Sequence, residues 1–574
     1  MSLRIEPNSC NGKLPGFNAG PEVMPKPHPT AATSQSPSPP DAKPKDSSVE
    51  SSKLVRSASV VGIITLLSRI TGLLRESLQA SYLGTTVAAD AFRIAFLLPN
   101  LMRRLVGEGA ITSAFVPAYT QHLTHGGPDG GRTFAEKFLV FWLLVVTVMT
   151  AVGMAGAGWI VLWGFGWGEF NDPEKIRLTT ELTRLLFGYL ILIGAVAAIQ
   201  GILNARGIFG MPAFAPVAFN LAFALVAWVL VPRLGQGQRA FAVSIAVLVA
   251  GVVQLLVLLP QLFLLGIRFR PTNPFNHSGV REVMRLLLPG TVGAGIYQLN
   301  VAVSTSLASR LGEGAASSLN YSNRLMEFVL GIFVFALSTV SLTALARYAA
   351  ADDRASFERT ASEVLRLTVF ITVPSTVGLY LLRRPVLSLL FEGGEFDQHS
   401  LDLTQTAFRW HVLGMAFVGW NRVLVACFHS QKDLKTPVVQ GAVNMAIHLS
   451  LAYALSEGMG HAGIALASTI AAALQTGCLL VILLRKMRGL RLPGVVQTTW
   501  KTLLAAGGMG FACAGVLRLA WIPGINGKSA LALSVSAVVA VGIAVFFALA
   551  RLLRMGEVGM LARGILKRRR STRG

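Results

Sequence analysis

The sequence predicts an all-α polytopic membrane protein of about fourteen transmembrane helices, arranged as two pseudo-symmetric six-helix lobes plus two C-terminal helices. Three observations predict it. Of 574 residues, 53% are hydrophobic and only 14% are charged, against roughly 25% charged in a soluble domain. Apolar runs longer than 18 residues recur along most of the chain, the length a helix needs to cross a bilayer. Glycine is abundant, at 57 residues, as in packed membrane helices. Soluble folds and transmembrane barrels are excluded. The net charge of +23 reflects membrane orientation, with basic residues collecting in cytoplasmic links, so a nucleic-acid partner is not expected.

Taken in order, residues 1–54 are rich in Pro, Ser and Lys and poor in large apolar side chains. They cannot offset chain entropy by burial, so a disordered cytoplasmic tail is expected. The first apolar run starts near Ser57, too far from the N-terminus and too long for a signal-peptide core. At about 20 residues per crossing, candidate spans fall near 57–82, 88–106, 136–164, 178–204, 211–232, 239–265, 281–309 and 316–346. Six more follow near 361–390, 400–428, 436–455, 461–484, 498–521 and 528–553.

The link after span 6 carries Arg268, Arg270, Arg281 and Arg285, and that after span 12 carries Arg485, Lys486, Arg488 and Arg491. The links after spans 1 and 11 contain no Lys or Arg. The even count and this asymmetry place both termini in the cytoplasm. Lys567, Arg568, Arg569 and Arg570 read as an anchor at an anionic lipid surface. Cys10, Cys427, Cys478 and Cys513 are widely spaced and form neither a disulfide framework nor a zinc pattern.

Internal echoes divide the chain. Asn204, Pro212, Pro216 and Asn220 bridge spans 4 and 5, while Ser430, Lys435, Pro437 and Asn444 bridge spans 10 and 11. The expected lobes are 55–270 and 271–490, followed by the helix pair 491–555 and a basic cytoplasmic tail, 556–574. Facing repeats are how many transporters alternate access to a central site.

Ionisable residues inside spans carry the functional information, since each costs about 2.5 to 3.5 kcal/mol at the bilayer centre. Arg69 lies twelve positions into span 1, about 18 Å at 1.5 Å per residue, too deep to snorkel. Arg75 and Glu76 follow on the same helix, with Glu76 on the Arg69 side. Two readings stand for Arg69 and Arg75: lining an anion-binding cavity, or internal pairing. Span 2 carries Asp90, Arg93, Pro99, Arg103 and Arg104 and ends at Glu108. Pro99 must kink it. Asp90 reads equally as a helix cap or as the counter-charge of a cavity arginine. Arg103 reads as an inside anchor or a portal, Arg104 as an anchor, and Arg93 has no evident partner. In span 8, Arg324 and Glu327 are spaced to pair with each other, yet Arg324 also lies deep. Arg69, Arg75, Arg103 and Arg324 are thus candidate diphosphate-binding positions, and Glu76, Asp90, Glu108 and Glu327 are candidate acidic or gating partners.

No HExxH, GxSxG, Walker A or carboxylate cluster occurs in the spans, so neither an enzyme nor a metal site is expected. His411 and His448 read as hydrogen-bonded within the bundle. With no ATP site, the energy must come from a membrane potential or ion gradient, or from the substrate's own downhill use.

The segment from Ser68 to Tyr119 closely resembles the MurJ/MviN lipid II flippase family of the multidrug/oligosaccharidyl-lipid/polysaccharide exporter superfamily. The resemblance rests on Ser68-Arg69 with Gly72 and Arg75, on Ala89-Asp90-Ala91-Phe92, and on Leu98-Pro99-Asn100-Leu101 with Arg103-Arg104. It continues at Glu108-Gly109-Ala110, Phe115-Val116-Pro117, Pro212 to Pro216 with Asn220, Arg324 to Phe328, and Asp433 to Pro437. It implies a fourteen-helix, V-shaped flippase of the bacterial inner membrane, moving undecaprenyl-diphosphate-linked peptidoglycan precursor outward. By motif, the family's cavity arginines fall on Arg69, Arg75, Arg103 and Arg324, with Asp90 as acidic partner. Its last two helices imply a lipid-tail groove at 491–555. Lipid II, membrane lipids and cell-wall synthesis proteins are the implied partners. Asn323, Glu76 and Arg93 depart from the family pattern. Asn300, Asn444, His448 and Thr469 stand where some members bind sodium, with no carboxylate nearby, which leaves the coupling ion open. The rival expectation is an exporter of another polyprenyl-linked oligosaccharide, or of a drug, from the same superfamily; a scaffold recruiting cell-wall enzymes is a third.

Overall fold

A long apolar segment in lipid has to satisfy its own backbone hydrogen bonds, which a helix does within one segment. The computed structural model follows this rule; it describes residues 47–104, 114–270, 273–487, 490–520 and 527–561. The chain divides into two units, 1–54 and 55–574, and the packing described below is that of the second. Among the described residues the only extended pairing is an isolated bridge between Gly393 and Phe396.

The helices of the first half are α1 (Ser47–Leu83), α2 (Val87–Met102), α3 (Val116–Phe165), α4 (Pro173–Ala205), α5 (Gly210–Leu230) and α6 (Arg239–Leu264). The second half holds α7 (Ser278–Ser309), α8 (Ala315–Ala350), α9 (Arg354–Leu381), α10 (Arg383–Phe391), α11 (Gln398–Ser430), α12 (Lys435–Met459) and α13 (His461–Lys486). Two more, α14 (Val495–Ala520) and α15 (Lys528–Leu552), complete it. Ten helices among the described residues are long and apolar enough to cross a membrane, and eleven when the two arms of α8, bent by 44° between Val334 and Leu337, count as one span. The expected fourteen is not reached by that criterion. The described part of α1 carries Arg69, Arg75 and Glu76, and α2 has only 16 residues.

Several boundaries differ from expectation for local reasons. Helix α1 starts at Ser47, inside the stretch expected to be unstructured; residues 1–46 and the basic run from Lys567 lie outside the described residues. Helix α3 runs for 50 residues, but Gly127 breaks it at φ 63°, ψ −166°, a conformation glycine supplies cheaply, just before Pro128. The expected span 361–390 is two helices, α9 and α10. Pro385 sits in the first turn of α10, where its missing amide is harmless, while Arg384 turns out to Asp402 and Gln398, both at 2.9 Å.

Van der Waals packing holds helices together where lipid removes the hydrophobic drive. One apolar core runs from Leu83 to Val283. Its centre is an aromatic stack in which the rings of Phe115 and Phe138 are 4.1 Å apart and those of Phe138 and Trp142 are 5.8 Å apart. A separate core joins Phe370 and Leu382 to α14 and α15 through Met509, Val538 and Phe546. Beneath it, the carboxylate of Glu557 takes hydrogen bonds from Thr498 and Arg366, each at 2.6 Å, tying both appended helices to α9.

Candidate substrate cavity

A cavity of about 740 Å³ lies between α2 on one side and α7, α8, α11, α12 and α13 on the other. Helix α2 turns one face to it, through Arg93, Phe96, Leu97, Asn100, Leu101 and Arg104. These are positions i, i+3, i+4, i+7, i+8 and i+11, a single helical stripe. The opposite wall contributes Arg324 and Arg422, with Glu327 as the one lining carboxylate among the described residues. Four guanidiniums against one carboxylate make this wall strongly cationic, and a low-dielectric surround strengthens its pull on an anion.

Behind the wall, charges are interlocked. Arg75 Nη2 donates to Glu76 Oε1 at 2.6 Å, and Arg324 Nε stands 3.7 Å from that same oxygen. Arg324 Nη1 also donates to Glu327 at 3.3 Å. The Arg75 guanidinium lies 5.7 Å from the centre of the Phe219 ring. Arg69 packs its guanidinium against Gly331 of α8, so closely that a Cβ there would fall 1.8 Å from Nη1 and displace it. Asn220 of α5 fixes the neighbouring turn of α1, donating to Ser68 O at 3.2 Å and to Thr71 Oγ1 at 3.3 Å.

The candidate site residues therefore separate. Arg324 and Glu327 line the cavity. Arg69, Arg75 and Glu76 stand behind its wall, with Arg69 within electrostatic reach of Glu327 and Arg422. Glu76 pairs with Arg75 and Arg324 rather than Arg69. Arg103 is not among the lining residues but donates to one of them, Asn100, at 3.2 Å, while its neighbour Arg104 lines the cavity. Asp90 is buried and opposes no arginine at the wall; it accepts the amides of Gly314 and Ser317, both at 2.8 Å, capping α8 rather than its own helix. Glu108 lies outside the described residues. The cavity faces of Arg93, Arg104 and Arg422 were not picked out from the sequence. The eleven-residue spacing of Arg93 and Arg104 carried a signal, since it brings both to one helical face; Arg422 is a further charge inside span 10.

The end of the cavity at the α1–α2 turn is bridged by polar contacts. Glu395 N donates to Ser81 O at 2.8 Å, Tyr321 Oη to Gly84 O at 3.1 Å, and Val87 N to Glu313 at 2.9 Å. Thr85 and Ser400 share a hydrogen bond of 2.9 Å, and Arg239 pairs with Glu395. Toward the other end the lining residues are Arg104, His429 and Pro437. His411 and His448 also face the cavity, hydrogen-bonded to Ser322 at 2.6 Å and to Asn300 at 2.9 Å. No group of three or more His, Cys, Asp or Glu among the described residues is arranged to hold a metal ion.

Comparisons with known proteins give this geometry a family. The family described as lipid II flippase MurJ matches residues 79–532. The lipid II flippase MurJ of Burkholderia cenocepacia is 34% identical over 465 residues, covering 79% of this chain and 89% of that protein. The probable lipid II flippase MurJ of Treponema pallidum is 33% identical, covering 78% and 85%. Among solved structures, a lipid II flippase MurJ in an inward closed conformation superposes with a TM-score of 0.71 at 22% identity, covering 86% of this chain and 98% of that one. An inward-facing MATE family multidrug transporter of the MOP superfamily follows at 0.61 and 15% identity, covering 75% and 100%. The chain belongs to the lipid II flippase MurJ family.

Proposed function

We propose that this chain carries lipid II, the undecaprenyl-diphosphate-linked peptidoglycan precursor, from the inner to the outer leaflet of the bacterial inner membrane. It works as a transporter. The observation that carries the reading is the cationic wall of Arg93, Arg104, Arg324 and Arg422 in a chain of the lipid II flippase MurJ family. Guanidiniums present forked donors that match phosphate oxygens, so the diphosphate is drawn into the cavity while the polyprenyl tail stays in lipid.

In this reading α1–α6 and α7–α13 are two lobes, corresponding to 55–270 and 271–490, that rock about the cavity, with both termini in the cytoplasm. The bridged α1–α2 end is the outer gate, and entry is past Arg104. Arg69, Arg75, Arg103 and Glu76 act behind or beside the wall by fixing the field around Arg324. The α14–α15 pair, which leaves Trp500 65%, Phe511 84% and Leu533 73% exposed, is the surface for the long lipid tail. The acidic role proposed for Glu108 rests on the sequence alone. An inside-negative potential drives an anion outward with about 2.3 kcal/mol per charge for each 100 mV, and needs no bound cofactor; a sodium gradient is the alternative source. Cell-wall synthesis proteins that consume the exported precursor are the natural partners.

The test is depletion of this protein in its own cells, followed by measurement of lipid II head groups reachable from the outer leaflet. Exposure should fall on depletion and return with the wild-type gene. Unchanged exposure, or loss of a different glycolipid, overturns the reading.

A further inference from the structure

Among the described residues Arg93 lines the cavity without a direct contact to the ion pairs beside it. Its electrostatic neighbours are Glu76, Arg324, Tyr321 and Arg75. Glu76 Oε1 is already engaged by Arg75 at 2.6 Å and by Arg324 at 3.7 Å, and Tyr321 donates its hydroxyl to Gly84 O. Arg93 itself makes no hydrogen bond or ion pair with any described residue, and its half-buried side chain lines the cavity.

A guanidinium inside a membrane protein that shares its carboxylate with two other guanidiniums is costly unless something else anionic meets it. Its position on α2 says what kind of anion. Arg104, eleven residues along the same face, stands about 16 Å away along the helix axis, too far to share one phosphate. Of the cations that line the cavity, Arg324 is the one within electrostatic reach of Arg93, and it projects from α8 on the facing half of the molecule. Two forks from two different helices, each suited to bidentate contact with one phosphate, fit a ligand that carries two linked phosphates better than one that carries a single phosphate.

We infer that Arg93 and Arg324 form a two-pronged subsite in which each guanidinium takes one phosphate of a diphosphate ester, and that Arg93 sets the preference for diphosphate over monophosphate. The inference rests on the reading of this cavity as a phosphate path, and it adds a specificity residue to that path. Glu76 is shared by Arg75, Arg324 and Arg93, so three guanidiniums face one carboxylate and positive charge is left over for the second phosphate.

The experiment measures binding of two soluble probes, a short-chain prenyl diphosphate and the matching prenyl monophosphate, to the purified full-length protein in nanodiscs. Wild type should bind the diphosphate roughly tenfold more tightly, the size of one charge-assisted hydrogen-bonded contact. Arg93→Gln should lose most of that difference by weakening the diphosphate alone. Arg93→Lys keeps the charge without the fork and should recover part of the preference. Equal weakening of both probes in Arg93→Gln, with no recovery in Arg93→Lys, is the signature of a structural role and overturns the inference. Unchanged diphosphate binding in Arg93→Gln together with its loss in Arg324→Gln overturns this inference and leaves the proposed function standing. A wild-type protein that binds neither probe overturns both.

Discussion

Asp90 of α2 receives the backbone amide of Gly314, the residue that precedes α8, at 2.8 Å, and its second oxygen receives Ser317 N at the same distance. The first turn of a helix has unpaired amides and a partial positive charge, so a buried carboxylate there is stabilised on both counts. Because the carboxylate comes from the other half of the molecule, the cap also ties α2 to the start of α8.

Asp90→Asn keeps the shape and removes the charge; Asp90→Ala removes the cap. Loss of an N-cap costs about 0.5 to 2 kcal/mol, which shifts the outer end toward opening by several-fold. Cysteine pairs placed at Ser81 and Glu395 report this directly. Cross-linking should fall in Asp90→Ala and less so in Asp90→Asn, and equal cross-linking in all three proteins contradicts the gating role.

Gly331→Ala forces Arg69 from its place, since a Cβ would sit 1.8 Å from its guanidinium. Transport should drop while the protein still inserts, because the displaced guanidinium shifts relative to Glu327 and Arg422, the charges it faces. Flipping in reconstituted vesicles at matched protein levels checks it. Wild-type flipping in Gly331→Ala removes the packing argument.

Arg104 and Arg103 are adjacent in sequence but differ in orientation, only Arg104 lining the cavity. Arg104→Gln should therefore slow transport more than Arg103→Gln. Its effect should shrink as ionic strength rises, since steering by a partly exposed charge is screened. Initial flipping rates at low and high salt measure both effects; a larger loss for Arg103→Gln reverses the assignment.

Glu557 lies outside the spans. Burial raises the pKa of its carboxyl, but hydrogen bonds from Thr498 and Arg366, with the Arg366 charge, outweigh this and hold it below the ordinary carboxylate value. A group depressed on folding contributes stability that is present above its unfolded pKa of about 4.3 and is lost as pH falls through the folded value. Melting of the purified protein should thus weaken below about pH 4.3. Glu557→Gln should be less stable near neutrality and flatter through that acid range. An unchanged acid profile in the variant contradicts the role of this ion pair.

Much of this was legible in the sequence because membrane helices announce themselves by length and apolarity and because an intramembrane arginine is too costly to be incidental. Depth alone, however, does not tell which way a side chain turns. Arg69, Arg75 and Arg324 stand out equally by depth, yet only Arg324 reaches the cavity wall. Arg103 and Arg104 differ by 100° around α2, and the choice between them required the helix to be docked. Asp90 offered two equal readings, because its receptor is the start of a helix more than two hundred residues away. The split of α9 from α10 was written in Arg383-Arg384-Pro385, but apolar residues on both sides concealed it.

The most direct measurement is the rate at which lipid II head groups appear on the far face of vesicles containing the purified full-length protein, with Arg324→Ala beside wild type at equal insertion. Rapid appearance with wild type and near-background appearance with Arg324→Ala is the result expected of a cavity whose guanidiniums carry the diphosphate. Equal rates for the two proteins would contradict it.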